Sequence, residues 1–129
     1  MSVRANDTQI VPPFPSCPVA AGSLLVPITS WPDMFRETEI TGVEFSEFWY
    51  ESVEDRVAYF FRWLGEPRAT VLAIWESKQL TFVECRKSGD VPVSALEAMP
   101  IVTEVIRAFQ SAGFSVRHNP SRWIGPEKS

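Results

Sequence analysis

Few residues in this chain are of types that do chemistry. Two cysteines, Cys17 and Cys85, and a single histidine, His118, make the one thiol–imidazole combination. Nucleophilic catalysis would need Cys85 within hydrogen-bond reach of His118 and an activated thiolate. Cys85 instead alternates with Val83 and Thr81, the pattern of a small buried side chain. His118 precedes Asn119-Pro120, in a segment leaving the fold. One histidine and two distant cysteines do not build a zinc site. The carboxylates lack the alternating Asp/Asn loop with glycine that calcium sites use. The six glycines never form the spaced set of a phosphate loop. Glu47 and Glu51, or Glu51 and Asp55, would be neighbours on a helix. Acid–base work would require one of them raised by burial beside a cleft, and a face this acidic reads as solvated. The expectation is a chain with no catalytic residue, no metal and no cofactor.

The densest feature is FSEFWYESVEDRVAYFFRWLGEP, residues 45–67, which holds eight of the sixteen aromatic residues and five of the sixteen carboxylates. From Asp33 to Asp55 there are eight acids against one base, Arg36, whereas from Arg62 onward there are nine bases and seven acids. With a net charge of −4, nothing resembles the concentrated positive field that direct nucleic-acid binding needs. A protein partner with a basic surface is the electrostatic complement. Helical spacing puts Phe45, Trp49, Val53, Val57, Phe60, Phe61 and Leu64 on one side and Glu44, Glu47, Glu51, Glu54 and Asp55 on the other. A helix over 46–64 is the favoured reading, stopped by Gly65 and Pro67, with Arg56 awkwardly inside the apolar arc. The alternative starts at Val53 after a Ser52–Asp55 capping box and leaves 43–50 extended.

A carboxylate row without interspersed lysine can imitate a phosphate backbone or dock on an arginine-rich patch. Tyr50, Tyr59 and Trp63 at the edges of the arc are expected to be partly exposed, and Tyr and Trp are enriched in binding hot spots. The candidate partner-binding residues are therefore Glu44, Glu47, Tyr50, Glu51, Glu54, Asp55 and Trp63. They imply an acidic protein-binding module, in its sharpest form an inhibitor or immunity-type protein that occludes a basic or nucleic-acid-handling partner. Two other readings stay open. One is an assembly subunit that forms a homodimer through the aromatic helix or a sheet edge. The other is a small enzyme or ligand-binding domain with a pocket near Cys85.

These residues need a scaffold. At 129 residues and 45% hydrophobic, the chain can bury the core of one ordinary domain without metal or disulfide. Five of its eleven prolines lie in the first 27 residues, which marks 1–21 as an extended arm and 22–129 as a single domain. GSLLVPIT, 22–29, reads as a short strand kept to an edge by Pro27, and SWPDMFRETEITG as a long connection punctuated by Gly42. Residues 69–75 and 80–86 read as a hairpin, the first strand covered on both faces, and SGDVP as a turn. Ser94–Glu97 has capping-box form, so one short turn is expected, and then a helix with Pro100 in its first turn that ends at Gly113. FSVRH, 114–118, is the last candidate strand.

The resulting order, β-α-β-β-α-β, predicts an α+β domain with two helices on one face of an antiparallel sheet, the ferredoxin-like arrangement being one form of it. Two free thiols, and no run near the roughly 18 apolar residues of a membrane span, suggest a cytoplasmic protein with no membrane partner.

Overall fold

A computed structural model describes residues 13–45, 56–77 and 79–116, with Arg56 described for its backbone alone. The elements run β1 (Leu25–Pro27), α1 (Trp31–Thr41), β2 (Arg56–Trp63), β3 (Ala69–Glu76), β4 (Gln79–Lys87), β5 (Val91–Pro92) and α2 (Ala95–Ser111). The five strands form one antiparallel sheet in the order β1-β2-β3-β4-β5, so each strand pairs with its neighbours in sequence. The expected class therefore holds: a single α+β domain with an antiparallel sheet and two helices.

The arrangement of elements differs from the expectation in three places. Residues 56–63 form β2, which pairs along its whole length with β3 from Arg56↔Glu76 to Trp63↔Ala69. The helix expected over 46–64 is thus absent from 56–63, and residues 46–55 lie outside the described residues. The misreading has a physical origin. On β2, Val57, Tyr59, Phe61 and Trp63 face one layer and Ala58 and Phe60 the other, so the apolar–polar alternation that marks a strand is missing. A continuous apolar run fits a buried helix equally well by period, and only its β-branched and aromatic content favours the sheet.

The first helix lies instead at 31–41, where a connection was expected. Its signals are local. Ser30 caps it and accepts a hydrogen bond from the Asp33 backbone, Pro32 occupies the first turn, and Gly42 closes it in the left-handed region at φ 78°.

The two helices, finally, lie on opposite faces of the sheet rather than on one. Met34 of α1 packs with Ile28, Val43, Phe45, Ala58, Phe60, Leu72 and Ile74. Ile101, Val105 and Phe109 of α2 pack with Phe61, Val71, Ala73, Val83 and Cys85. β3 is accordingly buried from Ala69 to Trp75. Among the described residues the succession is β-α-β-β-β-β-α, and the meander replaces β-α-β-β-α-β.

Several expectations are met closely. β1 is an edge strand that contains Pro27, and β3–β4 is the hairpin, with a register shift at Ile74/Trp75. The capping box forms as read: Glu97 N–H donates to Ser94 Oγ and Ser94 N–H to Glu97 Oε1. The helix then runs unbroken through Pro100, because that ring lies on the exposed side and only one backbone donor is lost. Residues 114–116 form no strand; Phe114 and Val116 pack on the α2-side core. The arm is docked where it is described. Phe14 meets Trp31 edge-on with centroids 4.9 Å apart on the α1 side, while Cys17 and Val19 join the α2-side core. Residues 1–12 of the arm lie outside the described residues.

Phe109 is the centre of the α2-side core. It is fully buried and touches the rings of Tyr59, Phe61, Trp75 and Phe114 with centroids 4.9–6.0 Å apart. Phe109→Ala should destabilise the fold by about 3–5 kcal/mol in urea titrations, against less than about 0.5 kcal/mol for exposed Gln110→Ala. Equal midpoints for the two variants would contradict this packing.

Candidate functional site

The chain's carboxylates fall into two groups, those the fold consumes and those it displays. Asp33 and Glu37 stand four residues apart on α1, on the side turned to the sheet. Glu37 is fully buried, and its carboxylate accepts from Arg62 Nε at 3.1 Å, from Arg68 Nη1 and Nη2 at 2.9 and 2.8 Å, and from Thr70 Oγ1 at 2.5 Å. Arg62 also pairs with Asp33. Arg62 and Thr70 are register partners on β2 and β3, so one helix side chain clasps two adjacent strands.

Burial alone would push the Glu37 carboxyl upward. The hydrogen bonds from Arg68 and Thr70 and the charges of Arg68 and Arg62 outweigh it and hold the group below its ordinary value of 4.5. A second network occupies the β4–β5 turn, where Gly89 and Asp90 adopt the left-handed region at φ 84° and 63°. Arg86 donates to Glu84 Oε2 at 2.8 Å, to Asp90 Oδ1 at 3.2 Å and to the Glu44 carbonyl at 3.3 Å. Its guanidinium lies 4.4 Å from the centre of the buried Phe45 ring. Phe45, the last described residue before the 46–55 stretch, is thereby fixed to the sheet.

Every described basic side chain is engaged in this way. Arg36, Arg62, Arg68, Arg86, Lys87 and Arg107 each pair with a carboxylate. Glu39, Glu44 and Glu66 are exposed and take no part in those ion pairs.

Of the residues singled out from sequence, Glu44 is exposed in the coil after α1, its backbone N–H directed to Asp90. Trp63 is corrected. It is only 5% exposed, sits in the α2-side core, and has Gly65 against its indole, where an added Cβ would lie 2.8 Å from Nε1. Tyr59 is half-buried in the same core. Glu47, Tyr50, Glu51, Glu54 and Asp55 lie outside the described residues, as do Trp49 and His118. The Arg62–Glu37–Arg68 clasp was missed because the helix that carries Glu37 was read as a connection. The spacing of Asp33 and Glu37 beneath a capped start was the available signal.

Neither thiol is activated. Cys85 is buried on β4 and its thiol is pushed up to about 12 by burial and by the Glu84 charge; burial raises Cys17 to about 11. Among the described residues no group of three or more His, Cys, Asp or Glu side chains could hold a metal ion, and no helix is long and apolar enough to cross a membrane. Comparison with protein families, with curated proteins and with solved structures finds no match for the chain.

Two outcomes follow from this chemistry. Glu37→Gln keeps the shape but leaves Arg68 without its carboxylate and Arg62 with Asp33 alone, and should cost about 3 kcal/mol near neutral pH. Because the folded pKa lies below the unfolded one, that stability is present in full above about pH 4.5 and is lost as pH falls through the folded value. Urea midpoints of the two proteins should therefore converge in acid, and parallel pH curves would refute the clasp. For the thiols, an aromatic disulfide reagent at pH 8 should leave Cys85 unmodified until urea unfolds the chain. Stoichiometric native-state reaction at Cys85 would restore the case for thiol chemistry.

Proposed function

We propose that the chain is a non-catalytic protein-binding module that presents an acidic surface to a basic protein partner. The observation that carries this reading is the division of charge. The described bases are all spent on internal ion pairs, while acids remain over at Glu39 and Glu44 and continue in sequence through Glu47, Glu51, Glu54 and Asp55. A phosphate backbone would find no uncommitted arginine or lysine among the described side chains, which favours a protein partner over direct nucleic-acid binding. The acidic stretch is also held at both ends, by buried Phe45 under Arg86 and by the opening residues of β2.

Its mechanism is steric and electrostatic occlusion, the mode of an inhibitor or immunity-type protein that covers a basic or nucleic-acid-handling surface. Glu44, Glu47, Glu51, Glu54 and Asp55 supply the charge and Tyr50 an aromatic anchor. Trp63, committed to the core, is left out. Two free cysteines fit action in the reducing cytoplasm.

The test compares the unmodified chain with a Glu47→Lys/Glu51→Lys/Glu54→Lys variant as bait in lysate from the native host, with mass spectrometry of what is retained. A basic protein should be retained by the unmodified chain alone, and less as salt rises. Equal retention by both baits, or retention indifferent to salt, would overturn the proposal.

A further inference from the structure

The two helices end differently. Beyond α2 the chain closes on its own carbonyls: Ala112 N–H donates to Ala108, Gly113 N–H to Gln110 and Phe114 N–H to Phe109. The last carbonyls of α1 are served less completely. Gly42 N–H donates to Thr38 at 2.7 Å, and Gly89 N–H, from the β4–β5 turn, to Thr41 at 2.8 Å. The next donors in line go elsewhere, Val43 N–H to Thr41 Oγ1 and Glu44 N–H to Asp90 Oδ1. Among the described residues no group donates to the Glu39 or Ile40 carbonyl. The last turn of α1 also holds no basic residue to offset the helix dipole, and Arg36, the one base on this helix, is turned back to Asp33.

The surface around these carbonyls is acidic and partly apolar. Glu39 and Glu44 are exposed, and Arg86 is shared between Glu84 and Asp90, so four carboxylates meet one guanidinium here. Lys87 is turned to Glu97 of α2. Ile40 is 67% and Val91 45% exposed. Gly42, two residues after Ile40, lies beside Gly89: a Cβ on Gly42 would stand 3.6 Å from the Gly89 nitrogen, and one on Gly89 would stand 3.7 Å from Val91 Cγ2. Both glycines are exposed, so bare backbone forms the surface at that point.

We propose that this end of the molecule seats an arginine of the protein partner, which donates to the Glu39 and Ile40 carbonyls, while an apolar residue next to it covers Ile40. The partner thereby supplies from outside the cation that α1 lacks. This inference rests on the reading of the chain as an acidic binding module and adds to it the chemistry of the segment recognised. Charge complementarity selects that occupant. A second copy brings a net charge of −4 and, among its described residues, no base free of an ion pair. A nucleic acid or an anionic membrane brings phosphates to an acidic surface and is repelled. Arginine suits better than lysine, because its planar fork of donors can serve two acceptors at once.

The test titrates the isotope-labelled chain with acetyl-Arg-Leu-Arg-Leu-amide and with acetyl-Arg-Ser-Arg-Ser-amide, following backbone amide shifts by NMR. The first peptide should bind saturably, with shifts gathered at 39–44 and 88–91, and the second about fivefold more weakly for want of the contact with Ile40. Ile40→Lys places a cation in the last turn of α1 itself. It should raise the melting temperature by about 1–3 °C and weaken the first peptide by about tenfold or more. The rise in melting temperature shows that the variant folds and reads the bare carbonyls independently of any peptide. No saturable binding, shifts centred elsewhere, equal binding of the two peptides, or an Ile40→Lys protein that melts no higher or binds as well would each refute the inference. Binding that survives Ile40→Lys but is lost in Glu47→Lys/Glu51→Lys/Glu54→Lys would sink this docking end alone and leave the acidic module standing.

Discussion

The structure turns on one buried carboxylate. Glu37 has no contact with solvent, yet it stays ionised because Arg62, Arg68 and Thr70 fill its lone pairs from β2, the β2–β3 loop and β3. An ion taken out of water is costly unless its partners are fixed in place, so the clasp tolerates little displacement of α1 along the sheet. That constraint sets the register of the whole α1-side layer. Met34 is lowered onto Phe60, Leu72 and Ile74, and Thr41, bonded back to the Glu37 carbonyl, receives the Val43 N–H. Phe45 is thereby delivered to the core two residues later. The opposite layer relies on apolar shape alone, with Phe109 among four rings.

The clasp also explains the surface. The ion pairs engage all the described bases with an equal number of acids, so the exposed charge left over among the described residues is negative, at positions such as Glu39, Glu44 and Glu66. Arg86 has a double role, since it neutralises Glu84 and Asp90 while lying over Phe45. Such a cation over a ring is worth about 0.5–2 kcal/mol and is directional, which suits an anchor that must hold the chain at one point.

Much of the architecture was legible in the sequence, and the failures have a shared cause. The β3–β4 hairpin, the edge strand with Pro27, the α2 stripe and its capping box could be read because each has a local signal that tertiary contacts do not override. β2 could not be read by period, since Val57 to Trp63 is covered on both faces and the helical and extended templates fit it about equally. A helix drawn through that stretch leaves 31–41 as a linker, although Ser30, Pro32 and Gly42 mark the ends of the true helix there. The opposition of the two helices then followed from neither segment alone, because it depends on the parity of side chains along β2 and β3. At the site, charge segregation was visible in composition, but the burial of Glu37 and Trp63 was not. A charged residue and an indole reveal their surroundings only when their neighbours are placed.

The meander has a consequence for how this protein can change over evolutionary time. β2, β3, β4 and β5 follow one another in sequence and each pairs in register with the next. That intervening stretch is bounded by Phe45 on one side and by the start of β2 on the other, and both points are secured by contacts of their own. Lengthening a connection between fixed ends is thermodynamically mild, about 0.6 kcal/mol for each doubling. An insertion between Phe45 and β2 therefore meets only a small closure cost, provided that those two anchors keep their packing.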